Sequence, residues 1–433
     1  MPRLSPLWRA ALSTSAFGLL LKLMGLLLSS RLAAVLGAEG MGVLQLGLSV
    51  EALAVTLATS GVRFSVTRLG AEELGAGGRA SSVLPAALGY ALGFSTLTAL
   101  LLALLAPRAA ALAGDGRLTL ALRCFAPGLP FLAVCAVFSG YFTAVFRPWK
   151  ASLSQVAEQG LILGLTLLLL SRLPRERPDL CCAAFALASA MADAGAALLC
   201  WVLYRREAPS PAPAPRGMGA RLWKLSLPLA LSTYARTALS TLRHLLVPRM
   251  LRRSGATAAE SLSVYGVVSG MVFPVLGFAS LFFTALAEQL IPALTLSGIR
   301  GDRRGTERLL GRVLGACLAL SSAVSLLLFL AGPWLGRALY RSAEAGVYLR
   351  ALAPLGVVMV LDSVVDGMLK GLGMHLSSMV INVLDALASL GFVCLLLPRF
   401  GVKAYIALLY LSECANFLLS YLCLRRRMTI KIL

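Results

Sequence analysis

The fold is decided by long apolar stretches such as residues 81–106, SSVLPAALGYALGFSTLTALLLALLA, which contain no charged side chain. An α-helix needs about 20 such residues to cross a hydrocarbon layer of roughly 30 Å. The chain of 433 residues is 58% hydrophobic and 14% charged, whereas a soluble chain carries about a quarter charged residues. We therefore predict an all-α, polytopic integral membrane protein.

Twelve spans are predicted, six on each side of a proline-rich segment at residues 205–221, RREAPSPAPAPRGMGAR. The Pro-Ala run favours an extended spacer over a helix. The predicted domains are a six-helix bundle at 1–204, a cytoplasmic linker at 205–221 and a second six-helix bundle at 222–433. The spans lie near 11–35, 41–62, 81–106, 119–146, 151–171, 180–203, 222–248, 262–291, 309–331, 346–369, 376–397 and 402–424.

The orientation follows from the basic residues of the loops. Lys and Arg are more numerous in the loops that a cytoplasmic N-terminus would place inside the cell than in the opposite loops. By the positive-inside rule, this bias predicts that both termini are cytoplasmic. The net charge of +21 is thus assigned to loops that orient helices, and no nucleic-acid partner is expected.

An internal repeat relates the two halves. A shift of 227 residues places Leu122–Pro127 (LRCFAP) on Leu349–Pro354 (LRALAP), and it pairs Glu158 with Asp385 in apolar surroundings. Because six spans precede the second copy, both copies enter the membrane in the same orientation. Parallel six-helix halves are a recurrent transporter architecture, in which a central cavity between the halves opens alternately to the two sides.

Several motifs resemble those of the stage V sporulation protein B family, and the resemblance covers nearly the whole chain. This family belongs to an exporter superfamily that includes multidrug and toxin extruders, oligosaccharide flippases and lipid II flippases. The motifs are Gly37–Gly42, Gly140–Thr143, Ser154–Gln159, Ser232–Arg236, Val247–Arg249, Gly266–Pro274 and Gln289–Pro292.

The resemblance implies a transporter of the bacterial plasma membrane. The implied function is to flip undecaprenyl-pyrophosphate-linked cell-wall precursors, for peptidoglycan or spore cortex, or related polysaccharide intermediates, by alternating access. The expected partners are a lipid-linked saccharide substrate and membrane lipids, and cell-wall synthases are the partners that a scaffold function would require. Nine scattered cysteines without a CxxC pair and only two histidines predict no metal site, and no cofactor is expected.

Four cations at membrane depth are candidates for binding the substrate headgroup. Lys22 in the first span and Arg236 and Arg243 in the seventh lie deepest, and Arg31 lies nearer the outer end. An ionisable residue is costly at this depth unless it meets a partner or water, and Arg can bind a pyrophosphate through two parallel hydrogen bonds. The alternative is that these long side chains extend to an interface.

Acidic residues in apolar spans are candidates for gating or for coupling to a cation. Glu51 is the main candidate in the first half, and Asp362, Asp366 and Lys370 share one face of the tenth span. For Glu158 and Asp385 the alternative is a structural network or an interaction with helix N-termini. For Asp366 and Lys370 it is an intrahelical ion pair. The gating or coupling candidates are Glu51, Glu158, Asp362, Asp366, Lys370 and Asp385, and Asp193, Glu288 and Glu413 are further single acids.

Three functions remain open from the sequence. The leading hypothesis is a flippase for lipid-linked saccharides, and the alternatives are a cation-coupled multidrug extruder of the same fold and a non-transporting scaffold for cell-wall synthesis. The sequence contains no Gly-rich phosphate loop, HExxH or GxSxG motif, so an enzyme is not expected.

Overall fold

The computed structural model describes residues 6–59, 61–174, 177–206, 217–280, 283 and 303–427. These residues form helices and turns and contain no strand, which confirms the all-α prediction. The first eight α-helices are α1 (Pro6–Thr59), α2 (Val62–Gly75), α3 (Leu84–Ala113), α4 (Leu118–Phe125), α5 (Leu129–Ala144), α6 (Pro148–Leu170), α7 (Pro178–Arg205) and α8 (Met218–Arg253).

The second half continues with two short helices that flank a π-helical turn, and then with longer ones. A capping box opens the first of them, where the Thr257 side chain and the Glu260 side chain each accept the other residue's backbone N–H. The elements are α9 (Ala258–Gly266), the π-helix Val267–Val272, α10 (Phe273–Ala279), α11 (Arg303–Tyr340), α12 (Ala343–Leu352), α13 (Leu355–Gly371), α14 (His375–Leu395) and α15 (Leu397–Arg427).

The apolar helices account for most of the predicted spans. In the described ranges, nine helices are long and apolar enough to cross a membrane, or up to ten when the bent pair α12 and α13 counts as one span. Helix α1 contains the first two predicted spans, and its backbone leaves helical geometry at Gly37, where φ is 66°. Glycine adopts this left-handed conformation without steric cost. The seventh predicted span lies in α8, which carries Arg and Lys along its length. The end of the eighth, after Ser280, lies outside the described residues except for Phe283.

The predicted repeat is visible in the helix boundaries. Helices α4 and α12 both end two residues before a proline, Pro127 in the first copy and Pro354 in the second. Proline lacks the backbone N–H of a helix interior and clashes with the preceding turn, so both helices break there. Helix α6 begins at Pro148 and α14 begins at His375, again 227 residues apart.

The chain divides into two compact units, and the division falls inside α1 and inside α8. The first unit comprises Met1–Leu28 and Val43–Thr241, and the second comprises Ser29–Gly42 and Leu242–Leu433. Residues 207–216 of the predicted linker lie outside the described residues. The predicted domain limits at 204 and 222 stay a prediction.

Within the first unit, hydrogen bonds hold the N-terminal part of α8 against α1 and α2. The Ser226 hydroxyl donates to the Ser65 hydroxyl at 2.7 Å, and the Thr241 hydroxyl donates to the Ser49 carbonyl at 2.9 Å. Lipid tails are as apolar as the helices, so interhelical hydrogen bonds and close packing hold such helices together.

Within the second unit, the segment of α1 that ends at Gly42 crosses α9 through two glycines. A Cβ on Gly42 would overlap the Leu262 carbonyl, and a Cβ on Gly266 would overlap the Ala38 carbonyl. The two backbones therefore approach more closely than any side chain would allow, which is a recurrent way of packing membrane helices.

Candidate functional site

The first unit contains two of the predicted headgroup cations, Lys22 on α1 and Arg236 on α8. Both side chains are exposed. Among the described residues, neither forms a hydrogen bond or an ion pair. Each therefore has its charge available for an anion that comes from outside the chain.

The direction of Arg236 follows from the packing of α8. The Tyr234 hydroxyl donates to the Leu57 carbonyl at 3.4 Å, so the Tyr234 side of α8 packs on α1. Residues two positions apart on a helix point about 200° apart around its axis. The Arg236 side chain is therefore directed away from the contact that Tyr234 makes with α1.

The second unit contains the other two candidate cations, Arg31 and Arg243. Arg31 is exposed, and the described residues provide it with no hydrogen bond or ion pair. Arg243 is half-buried, and its charge acts on Asp385 and on Glu413. The second unit thus brings a headgroup candidate and a coupling candidate, Arg243 and Asp385, into electrostatic contact.

Three carboxyl groups from three helices of the first unit lie within range of one another's charge. Glu51 of α1, Glu158 of α6 and Asp193 of α7 lie close enough for their charges to interact. Asp193 is 3% exposed, and in the described part of the chain it has no hydrogen-bond donor or cation beside it. Like charges repel strongly in a low-dielectric interior, so this acid cluster is a candidate site for proton uptake.

Among the described residues, no group of three or more His, Cys, Asp or Glu side chains has an arrangement that could hold a metal.

Asp366 and Lys370 lie one turn apart on α13 in the second unit. Their side chains form an ion pair, and the Ser378 hydroxyl of α14 donates to the same Asp366 carboxylate. An intrahelical pair of this kind neutralises two charges in apolar surroundings. It also ties α13 to the start of α14.

Asp385 of α14 is held by Ser412 of α15, which in turn accepts a hydrogen bond from Ser389 of α14. The Ser412 hydroxyl lies 2.8 Å and 3.0 Å from the two Asp385 carboxylate oxygens, and the Ser389 hydroxyl lies 3.0 Å from the Ser412 hydroxyl. These contacts fix Asp385 next to the charge of Arg243.

Asp362 of α13 and Asn416 of α15 form an incomplete pair. The Asn416 amide donates to Asp362 Oδ2 at 3.1 Å. The other oxygen of each group, Asp362 Oδ1 and Asn416 Oδ1, is buried and has no partner in the described residues. Both are acceptors, so one proton on Asp362 Oδ1 would supply the donor that this pair lacks.

The structure thus groups the predicted coupling residues by unit. Glu51 and Glu158 share the first cluster, and Asp362, Asp366, Lys370 and Asp385 share the second, over α13, α14 and α15. The sequence indicates Asp193 and Glu413 only as single acids, and Ser378, Ser412 and Asn416 are not among the predicted residues. The signal for the last two is present in α15, where Ser412 and Glu413 lie one turn before Asn416 in an apolar helix.

Together, the apolar helices, the internal repeat and these buried polar clusters define a multi-pass membrane protein with a transporter fold. The match to solved structures agrees, since the chain aligns over 97% of its length with an inward-facing multidrug resistance MATE family transporter of the MOP superfamily. That alignment covers 98% of the transporter, with a TM-score of 0.78 and 14% identity. The MATE multidrug transporter DinF-BH aligns with a TM-score of 0.71 and 16% identity, over 98% of this chain and 96% of that one.

The chain belongs to the polysaccharide biosynthesis protein family, which it matches over residues 7–295. It is 22% identical to Stage V sporulation protein B of Bacillus subtilis (strain 168) over 395 residues, which cover 89% of this chain and 76% of the relative. The family resemblance expected from the sequence motifs is thereby confirmed.

Proposed function

We propose that this protein flips lipid-linked saccharides across the membrane, and specifically undecaprenyl-pyrophosphate-linked cell-wall precursors. Membership of the polysaccharide biosynthesis protein family supports a saccharide substrate. The similarity to Stage V sporulation protein B supports a role in the cell wall or spore cortex. The proposed setting is the bacterial plasma membrane, with both termini cytoplasmic and with bundles at 1–204 and 222–433 on either side of a linker.

The observation that carries this proposal is the exposed Arg236 side chain, which has no anionic partner among the described residues. A charged guanidinium at membrane depth costs free energy unless it meets an anion or water. A pyrophosphate offers that anion and matches the planar donors of arginine. Lys22, Arg31 and Arg243 are the further cations proposed to contact the headgroup during transport.

The test is the leaflet distribution of undecaprenyl-linked precursor in source cells that lack this protein, measured during growth and during sporulation. We expect precursor to accumulate on the cytoplasmic face, and expression of the wild-type chain should relieve the accumulation. Arg236→Ala should fail to relieve it. Arg249→Ala, which removes another exposed charge from α8, is the matched control and should restore the distribution.

An unchanged distribution in the deletion strain would exclude this lipid as the substrate. The scaffold hypothesis has its own signature in the same experiment. It expects cell-wall synthases to co-purify with the chain, and it expects Arg236→Ala to support normal growth.

A second candidate function is a cation-coupled multidrug extruder, favoured by the acid cluster of Glu51, Glu158 and Asp193. Proton uptake there would couple transport to the proton gradient. If the protein is an extruder, cells expressing it will export a cationic dye, and both Glu51→Gln and Asp193→Asn will abolish the export. Dye retention equal to that of cells without the protein would exclude this candidate for that dye.

A further inference from the structure

A groove of about 360 Å³ opens on the first unit between α3 and the start of α8. Five of its six lining residues lie on α3, which is long and apolar enough to cross a membrane, so we place the groove at the bilayer. None of the proposed headgroup or coupling residues contributes to it. We call it the α3–α8 groove, and it is lined by Gly89, Tyr90, Gly93, Phe94, Leu97 and Trp223.

Two glycines and a group of aromatic rings give the α3–α8 groove its shape. Gly89 and Gly93 lie one turn apart, and a Cβ built on either would meet no atom within 4 Å, so they form an open floor. Trp223 forms the wall. Its ring lies edge-on to Tyr90 at 5.5 Å and tilted against Phe94 at 5.3 Å, and its side chain is 47% exposed.

The tails of the bilayer lipids are already apolar. Moving a lipid tail from the bilayer into the groove therefore gains no hydrophobic free energy. Selectivity must come from van der Waals contact, which is lost where a gap stays unfilled. An unbranched acyl chain presents a smooth surface to the glycine floor. A polyprenyl chain carries a methyl branch on every isoprene unit, and these branches can fill the glycine gaps while the flat alkene groups lie against the aromatic rings.

Charge at the Trp223 end of the groove fits a phosphate-bearing lipid. Lys224, the next residue of α8, is exposed and forms no ion pair in the described part of the chain. Arg221, one turn earlier, already forms ion pairs with Glu72 at 2.8 Å and with Glu73 at 3.4 Å. A cation is therefore available one residue after Trp223 on α8, and an anionic lipid needs a cation near the site of its apolar tail.

We propose that the α3–α8 groove binds the polyprenyl chain of the lipid-linked substrate, with Lys224 beside its phosphate end. The identity of the lipid rests on the proposed function. The groove itself rests on the glycine floor, the aromatic wall and the adjacent cation. It gives the tail a fixed path along the outside of the first unit, so the tail need not follow the polar headgroup.

The test is photolabelling of the full-length protein in phosphatidylcholine nanodiscs. The probe is an undecaprenyl phosphate analogue that carries a diazirine in its prenyl chain, and labelled peptides are mapped by mass spectrometry. We expect labels on residues 84–97 and 218–227, removed by unlabelled undecaprenyl phosphate but not by phosphatidylglycerol or inorganic phosphate. Phosphatidylglycerol carries the same kind of charge on unbranched tails, so it separates tail recognition from charge recognition.

Two variants make the test specific to the groove. Gly93→Leu fills the floor without an internal clash and should lower the labelling at least about tenfold, equivalent to about 1.4 kcal/mol. Gly164→Leu on α6 is the matched control, because Gly164 is also an exposed glycine of an apolar span with no atom within 4 Å of its Cβ position. It should label like the wild type.

Equal competition by phosphatidylglycerol, or wild-type labelling of Gly93→Leu, would overturn the proposal. Labelling does not require transport, so the groove and the proposed function can fail separately. Groove labelling in a protein that moves no precursor would support the groove and refute the flippase. Normal precursor transfer by a Gly93→Leu variant that is no longer labelled would refute the assignment of the groove to the transported substrate and leave the flippase function standing.

Discussion

Gly128 lies directly against the carboxyl group of Asp193, and a Cβ built on Gly128 would come within 2.5 Å of Asp193 Oδ2. Gly128 ends the 3₁₀ turn that separates α4 from α5, at the proline break of the repeat. At this break the backbone of Gly128, which carries no side chain, packs against the buried carboxyl group of Asp193.

This contact predicts that Gly128→Ala destabilises the protein. The added methyl would press on Asp193 Oδ2 and also on the Ala190 Cα at 3.1 Å. Overpacking of this kind costs about 1–3 kcal/mol. Thermal unfolding in detergent should show a lower midpoint than for the wild type, whereas Gly164→Ala, which adds its methyl in open space, should not. Equal midpoints for the two variants would contradict the contact.

The crossing of α1 and α9 predicts a larger effect. Gly266→Ala would force a Cβ into the backbone of Ala38 and Gly42, and backbone atoms have less room to move than a side chain. We expect a loss at or above the upper end of about 1–3 kcal/mol, measured as less folded protein after detergent extraction and a lower unfolding midpoint. Gly277→Ala on α10, where no atom lies near the new methyl, is the control. A Gly266→Ala protein as stable as that control would rule out the close crossing.

The incomplete pair of Asp362 and Asn416 predicts opposite effects for two similar substitutions. Asp362→Asn supplies an N–H donor for the unpartnered Asn416 oxygen, so the unfolding free energy should stay the same or rise by about 0.6 kcal/mol. Asp366→Asn loses the ion pair with Lys370, so the unfolding free energy should fall.

Chemical unfolding of both variants in the same detergent measures the difference. A larger loss of unfolding free energy for Asp362→Asn than for Asp366→Asn would contradict the incomplete pair proposed for Asp362 and Asn416.

The exposure of Arg236 predicts that its removal affects function and leaves stability unchanged. Arg236→Ala should insert and unfold like the wild type, because the side chain makes no hydrogen bond or ion pair within the described residues. It should abolish complementation of a deletion strain. Membrane fractionation and thermal unfolding test the unchanged insertion and stability. Growth and sporulation of the complemented strain test the loss of function. Full complementation by the variant would remove Arg236 from the headgroup site.

Much of the fold could be predicted because the bilayer constrains both composition and length. Unbroken apolar runs mark the spans, and the prolines at 127 and 354 mark equivalent breaks in the two copies. The boundary between the first two predicted spans, at residues 36–40, contains Gly37, where the backbone of α1 leaves helical geometry.

The candidate site could be predicted only residue by residue. Glu51, Glu158 and Asp193 stand on three helices, and nothing in their sequence spacing indicates that the three carboxyls lie within range of one another's charge. The α3–α8 groove was also not predictable, because Trp223 and Gly93 are ordinary residues of apolar spans until their helices pack together. Spacing along one helix, as for Asp366 and Lys370, is the relationship that sequence gives directly.

The most direct test of the central claim is transfer of a labelled undecaprenyl-pyrophosphate-linked saccharide in proteoliposomes that contain only this protein. The label starts on one face, and a membrane-impermeant quencher reports its arrival on the other. We predict transfer by the wild type and by Arg249→Ala, and none by Arg236→Ala or by empty liposomes. Transfer by wild type and Arg236→Ala at equal rates would contradict the headgroup assignment, and no transfer above empty liposomes, with or without an imposed proton gradient, would contradict the flippase function itself.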